Sequence, residues 1–287
     1  MASYPHLHPS VHEVAAQDVS TRIDHLLRDR WVDYPVASQA LKKLEALLAA
    51  PRRTRMPCML IFGDSGMGKS MIVEKFRRAH LPVYDHQQGI ERLEILAIQM
   101  PAIPSQARFY GEILMALGAP CRPSDRLFAI ETVALSLLRD LRPRMIIVDE
   151  VHHLLAGSAQ EQRAALNLLK YLANLLQCTV VALGTLDART AMQTDPQIVS
   201  RFRPLALPRW RDDDTFRGFL KTFEQLLPLR EPSRFAERRF SRRILDSGGG
   251  ITGNITELLV AAAETALLQN RESVSIDLLD QVDLAAA

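Results

Sequence analysis

Five short runs along the chain are apolar almost without a break, and the stretches between them place apolar residues at every third or fourth position. The runs are Cys58–Phe62 ("CMLIF"), "LEILAIQMP" ending at Gln99 and closed by Pro101, "RMIIVDE" at 144–150, "CTVVALGT" at 178–185 and "PLALP" at 204–208. Runs of this length without alternation fit strands buried on both faces. Helical spacing fills the gaps, from the end of "GDSGMGKS" to about Arg78, then about Ser105–Leu117, Leu127–Leu141 and 159–176. Strands alternating with helices predict a parallel five-stranded αβα sandwich.

The flanks differ. Residues 1–20 are rich in Pro and His and read as irregular, while 21–30 and 36–50 read as helices. Leu41, Leu44, Leu47 and Leu48 share one face of the second. "PRRTRMP" is a basic connector into the first strand. After Pro208 come four helical stretches and no strand, about 212–227, 233–246, 253–269 and 275–284. Gly248, Gly249 and Gly250 stop one of these helices, and Thr252 or Asn254 suits the cap of the next. The expected division is an N-terminal segment at 1–50, an α/β core at 51–208 and a small helical lid at 209–287.

Composition narrows the class. The 287 residues suit one large domain or a core with an appendage, and 47% hydrophobic content supplies a core. A net charge of +2 confines any nucleic-acid surface to a local patch. Cys58, Cys121 and Cys178 form no C-x-x-C pair and suit a reducing cytoplasm. The N-terminus lacks the apolar core of a signal peptide, and no apolar run reaches a membrane span. The expectation is a cytoplasmic protein with no membrane partner.

The first strand ends in a loop matching G-x-x-x-x-G-K-[ST], which cradles phosphates. Gly63, Gly66 and Gly68, with Asp64, Ser65 and Met67 between them, let backbone N–H groups turn inward. Lys69 can reach β- and γ-phosphate oxygens and Ser70 can offer its hydroxyl to Mg²⁺. The third strand ends in Asp149 and Glu150, at the edge where open α/β sheets bind ligands. Asp149 suits Mg²⁺ held through water, and Glu150 suits a water aimed at a γ-phosphate. The alternative is a strand end with solvated acids. Thr185 ends the fourth strand. With that strand between the first and third, it would orient the same water; the plainer reading is a threonine ending a strand. Arg201, just before the fifth strand, is placed to enter a neighbouring subunit's nucleotide as an arginine finger, or else to make a surface ion pair. Arg203 is the weaker candidate.

These pieces, in this order and followed by a helical lid, resemble AAA+ ATPases. "YPHLHPSV", "RWVDYPVASQALKKLEALL", "RMPCMLIFGDSGMGKS", "VDEVHHLLAGS", "LGTLDA" and "VSRFRPLALPRW" together resemble TniB, the TnsC-related transposition protein of Tn5053-type and Tn402-type elements. The resemblance implies an ATP- and Mg²⁺-dependent ATPase, slow and stimulated by DNA. It also implies homo-oligomers (ring, spiral or filament) on duplex DNA without sequence preference, associated with the nucleoid when DNA-bound. The implied partners are a DDE transposase of the TniA type and a TniQ-like target-selection protein. It further places Trp31, Tyr34 and Pro35 over the adenine; the aromatic pair reads equally as core. Many AAA+ proteins carry a lid arginine in G-x-x-R, where "GNIT" here has Thr256.

By the same resemblance, DNA would meet the region after the second strand, which carries Arg108, Arg122 and Ser124. Such groups hold phosphates without reading bases, and solvated loop residues are the alternative. Arg234, Arg238 and Arg242, with Arg239 and Arg243 beside them, suggest a basic face on a lid helix or a solvated one. His152 and His153 invite a comparison with DEAH helicases, whose other motifs are absent, and no further zinc ligands lie nearby in sequence. Two other readings stay open: a helicase-loader-like AAA+ ATPase, and a nucleotide-gated DNA-binding scaffold with negligible hydrolysis.

Overall fold

The computed structural model describes residues 4–85, 90–122, 125–193 and 195–282. A 3₁₀ turn at Pro9–Val11 leads into α1 (His12–Ala15), α2 (Val19–Leu26) and α3 (Pro35–Leu48). Next come β1 (Cys58–Phe62), α4 (Lys69–Ala79), β2 (Val83–Asp85), β3 (Ile90–Arg92), β4 (Ile95–Gln99), α5 (Gln106–Ala116) and α6 (Leu127–Leu141). The chain continues through β5 (Met145–Asp149), a 3₁₀ turn at Val151–Ala156, α7 (Ala159–Leu175), β6 (Thr179–Gly184), α8 (Leu186–Met192), α9 (Pro196–Val199) and β7 (Phe202–Ala206). Last are α10 (Asp214–Glu224), α11 (Arg238–Gly248), α12 (Thr252–Leu268) and α13 (Ile276–Gln281).

Two compact units result. The sheet unit holds 39–64 and 69–207, and the helical unit holds 1–38, 65–68 and 208–287. Five parallel strands form the first in the order β4-β5-β6-β1-β7. All five residues of β1 and all six of β6 are buried, as the unbroken apolar runs require. Because β6 lies between β1 and β5, Phe62, Gly184 and Asp149 end neighbouring strands on one edge of the sheet. Parallel pairing aligns those C-terminal ends, so the residues just after β1 and just after β5 share that edge.

The helical unit is built around Phe216, Phe219, Phe223, Phe235 and the apolar side of α12, with Leu26 and Val32 of the N-terminal segment in the same cluster. A buried cation ties it together. Arg22, 1% exposed, donates to the Pro228 carbonyl from Nε at 2.8 Å and to Glu272 from Nη1 at 3.1 Å. Among the described residues, no single helix is long and apolar enough to cross a membrane.

Several local expectations need correction. The described part of the 1–20 stretch is not irregular throughout: Pro9 opens a 3₁₀ turn, and α2 already starts at Val19, capped by Asp18. An antiparallel ribbon, β2 with β3, precedes the second sheet strand. Its three-residue strands are too short to show a period. Two short helices, α8 and α9, separate β6 from β7. The second lid helix starts at Arg238 rather than 233, since Arg234 sits at φ 63°, outside the helical region. Neither Thr252 nor Asn254 caps α12; the N-cap is Ile251, and the Thr252 hydroxyl accepts from Trp210 Nε1 at 3.0 Å.

Candidate functional site

In the sheet unit, β1 runs into Gly63 and Asp64, and α4 begins at Lys69. The Lys69 side chain is buried, and its Nζ donates to the carbonyls of Gly63 at 3.0 Å and Asp64 at 2.8 Å. Burial is the strongest influence on this ammonium and draws its pKa below the ordinary lysine value; Glu150, Asp149 and Asp64 act the other way. Ser70 Oγ donates to Asp149 Oδ2 at 2.7 Å. The far oxygen of Asp149 accepts the Glu150 N–H at 2.7 Å. The last residue of β5 therefore holds the first turn of α4 with one oxygen and shapes its own strand end with the other.

Glu150 itself is left-handed, at φ 53° and ψ 37°. A non-glycine residue there costs on the order of 1–2 kcal/mol, so the turn is held by its surroundings. The turn aims the carboxylate back toward His152, whose Nδ1 lies 2.9 Å from Glu150 Oε2 without the alignment of a hydrogen bond. His153 Nδ1 donates to the Met100 carbonyl at 2.9 Å. Glu150, His152 and His153 have ligand atoms within 4.8 Å of one another, so Glu150 supplies a third donor beside the histidine pair. Thr185 follows β6, half-buried and extended, with no side-chain cap bond to α8. A Cβ on Gly184 would stand 2.8 Å from Val151 Cγ1, so the β6 end passes tight under the turn that carries Glu150 and His152.

Arg201 lies at the opposite edge. Its carbonyl accepts the Cys58 N–H at the start of β1, and β7 runs parallel to β1. Five strand residues, about 15 Å, separate it from the edge with Lys69 and Asp149. It cannot touch its own chain's site in this arrangement. The half-buried guanidinium donates to Asn174 Oδ1 at 2.6 Å, while Nε is closed to solvent with no partner among the described residues. Arg203 is exposed on the edge strand. Sequence reasoning passed over Arg189, whose guanidinium lies 4.8 Å from the Phe62 ring centre at the end of β1. Its only sequence signal is a position four residues after Thr185.

The helical unit holds Ser65–Gly68. Gly66 and Gly68 have φ of 74° and 81°, the left-handed region that glycine enters without penalty. Ser65 is exposed and Met67 buried. The Gly253 N–H donates to the Gly66 carbonyl at 2.8 Å, and a Cβ on Gly66 would meet Ile251 at 2.9 Å. The start of α12 is thus fitted to the loop, a contact that the "GGGITG" spelling hints at only through its small residues. Thr256 Oγ1 donates to the Gly253 carbonyl at 2.9 Å within the same helix.

Tyr34 packs against Trp210 and Phe219, with ring centres 5.0 Å and 5.9 Å away, and burial pushes its hydroxyl up to about 12. That hydroxyl lies 3.7 Å from where a Cβ on Gly68 would stand. Trp31 is half-buried, its indole N–H donating to Asp33 at 2.7 Å, and Pro35 is exposed at the first position of α3.

The basic residues do not converge. Arg108 is exposed in the first turn of α5, and Arg122 is exposed beyond its far end; the 11 residues of α5 span about 16 Å. Ser124 lies outside the described residues. Arg234, Arg238 and Arg242 are not a row on one helix, because Arg234 precedes α11. Arg242 and Arg243 pair with Asp212 and Asp280 at 3.1 Å and 2.6 Å.

Comparisons with known proteins give the family and the fold. Residues 22–212 match the family model described as "Bacterial TniB protein". The chaperone protein ClpB of Meiothermus ruber is 26% identical over 202 residues, 68% of this chain but only 22% of that relative. The Aeropyrum pernix ORC1 protein, solved in complex with DNA, aligns with a TM-score of 0.63 at 16% identity, covering 90% of this chain and 68% of that one. The Aeropyrum pernix ORC2 protein (ADPNP-ADP complexes) gives 0.61 at 17% identity over 90% and 70%, and Drosophila ORC bound to DNA gives 0.61 at 15% over 94% and 66%. The sheet and these likenesses make the fold the α/β fold of AAA+ proteins.

Proposed function

The chain belongs to the TniB family, and from that premise we propose that it is an ATPase that assembles as a homo-oligomer on duplex DNA and regulates or recruits a DDE transposase. One observation carries the ATPase reading: Lys69, Ser70, Asp149 and Glu150 stand together on the C-terminal edge of the sheet, with Ser70 Oγ on Asp149 Oδ2 at 2.7 Å. Lys69 would exchange the Gly63 and Asp64 carbonyls for β- and γ-phosphate oxygens. Ser70 and Asp149 present hard oxygen donors, which fit Mg²⁺. When bound, Mg²⁺ neutralises charge on the phosphates and orients them. Glu150 would take up the proton of the attacking water, and Thr185 would orient that water.

Trp31, Tyr34 and Pro35 are proposed for the adenine. Arg201 is proposed to act across a subunit boundary; its place at the far edge of the sheet favours a neighbour's site over its own. The proposed DNA contacts are Arg108 and Arg122, with grip on phosphates and turnover slow until DNA nucleates assembly. Two structurally similar proteins were solved with DNA, which supports this reading. The family name supports transposition, with a TniQ-like protein as the second partner. Thr256, tied to the Gly253 carbonyl where other lids carry an arginine, favours a second reading, a nucleotide-gated scaffold with negligible turnover.

The test is binding of a fluorescent ATP analogue. Lys69→Ala is expected to lower affinity by about 100-fold, since a charge-assisted contact of roughly 3 kcal/mol is lost. Wild-type affinity in that variant would remove the phosphate-loop assignment.

A further inference from the structure

We propose that His152 is a positioning residue for Glu150, and that His153 is its anchor. This rests on the ATPase reading. Nδ1 of His152 is closed to solvent and makes no aligned hydrogen bond among the described residues, yet Glu150 Oε2 lies 2.9 Å away. A desolvated ring nitrogen needs a partner, and the carboxylate is the polar group at hand. Carrying its proton on Nδ1, the imidazole donates to Oε2 after a small rotation. That bond leaves Oε1 to meet the water.

Two contacts hold the imidazole in place. The His153 ring lies beside it, centres 4.8 Å apart and planes at 57°, and is pinned by the Met100 carbonyl at the end of β4. Below, the end of β6 packs against the same turn: a Cβ on Gly184 would lie 3.5 Å from the His152 backbone nitrogen. The position is therefore set by β4 and β6, not by the turn alone. Glu150, in a left-handed backbone conformation, has no helix or strand of its own to fix its side chain. In this arrangement His153 Nδ1 is already engaged by the Met100 carbonyl and His152 Nδ1 faces Glu150.

The test compares amide variants of His152 by steady-state hydrolysis. Asn places its amide nitrogen where Nδ1 stands, and Gln where Nε2 stands, with similar demands on folding. His152→Asn is expected to stay within a few-fold of wild-type kcat. His152→Gln and His152→Ala are expected to lose about 10–100-fold in kcat, with KM for ATP nearly unchanged, because a misplaced group costs up to about that much. In a Glu150→Gln background, His152→Ala is expected to add nothing, since the two act as one unit. Equal rates for the Asn and Gln variants, a loss of ATP affinity matching the loss of kcat, or additive effects would overturn the inference. Hydrolysis by wild type that His152→Ala leaves intact overturns this inference alone. Absence of hydrolysis by wild type overturns the ATPase reading with it.

Discussion

At the scale of single residues, the proposed function rests on Glu150. Its neighbour Asp149 is engaged by Ser70, and its own carboxylate lies against His152. Glu150→Gln keeps the size and removes the basicity, so it should bind ATP and turn it over about 10²–10⁴-fold more slowly. Phosphate release under single-turnover conditions measures this, and an unchanged rate would take Glu150 out of the role. Lys69, Ser70, Asp149 and Glu150 could all be named from sequence, because a strand followed by a charged loop is a local signal. His152 could not. A histidine two residues after Glu150 becomes significant only once a left-handed residue turns the carboxylate back toward it.

Among the elements, α2 and the α12–α13 connection depend on a pair that sequence cannot suggest, since Arg22 and Glu272 are 250 residues apart. Burial, the largest influence on Glu272, raises its pKa, but Arg22 and Arg230 outweigh it and hold the carboxyl below its ordinary value of 4.5. A depressed carboxyl contributes stability above about pH 4.5 that disappears as pH falls through the folded-state pKa. Glu272→Ala strands Arg22 with the Pro228 carbonyl and should cost about 3 kcal/mol at neutral pH. Its melting temperature should also fall less between pH 5 and pH 3 than that of wild type. Equal acid sensitivity in the two proteins would contradict the linkage. Long elements are legible in the sequence: the apolar period over Leu127–Leu141 is unbroken, and the helix has those limits. The β2–β3 ribbon and α8 are not, because three to seven residues repeat a period less than twice.

For the whole molecule, the order β4-β5-β6-β1-β7 gathers Lys69, Ser70, Asp149 and Glu150 on one edge and leaves Arg201 on the other. Under the proposed function one chain is an incomplete enzyme, and the missing arginine comes from a neighbour through a head-to-tail interface. Such an interface is not legible in the sequence beyond the position of Arg201, since its other half lies on a second copy of the chain. The most direct measurement mixes two variants on duplex DNA, Glu150→Gln and Arg201→Ala. Each alone should release little phosphate. In an equimolar mixture, about a quarter of randomly formed head-to-tail interfaces join an intact Glu150 to an intact Arg201, and activity should return in proportion. A mixture that stays inactive while the variants demonstrably co-assemble, or Arg201→Ala hydrolysing ATP normally by itself, would contradict the composite site.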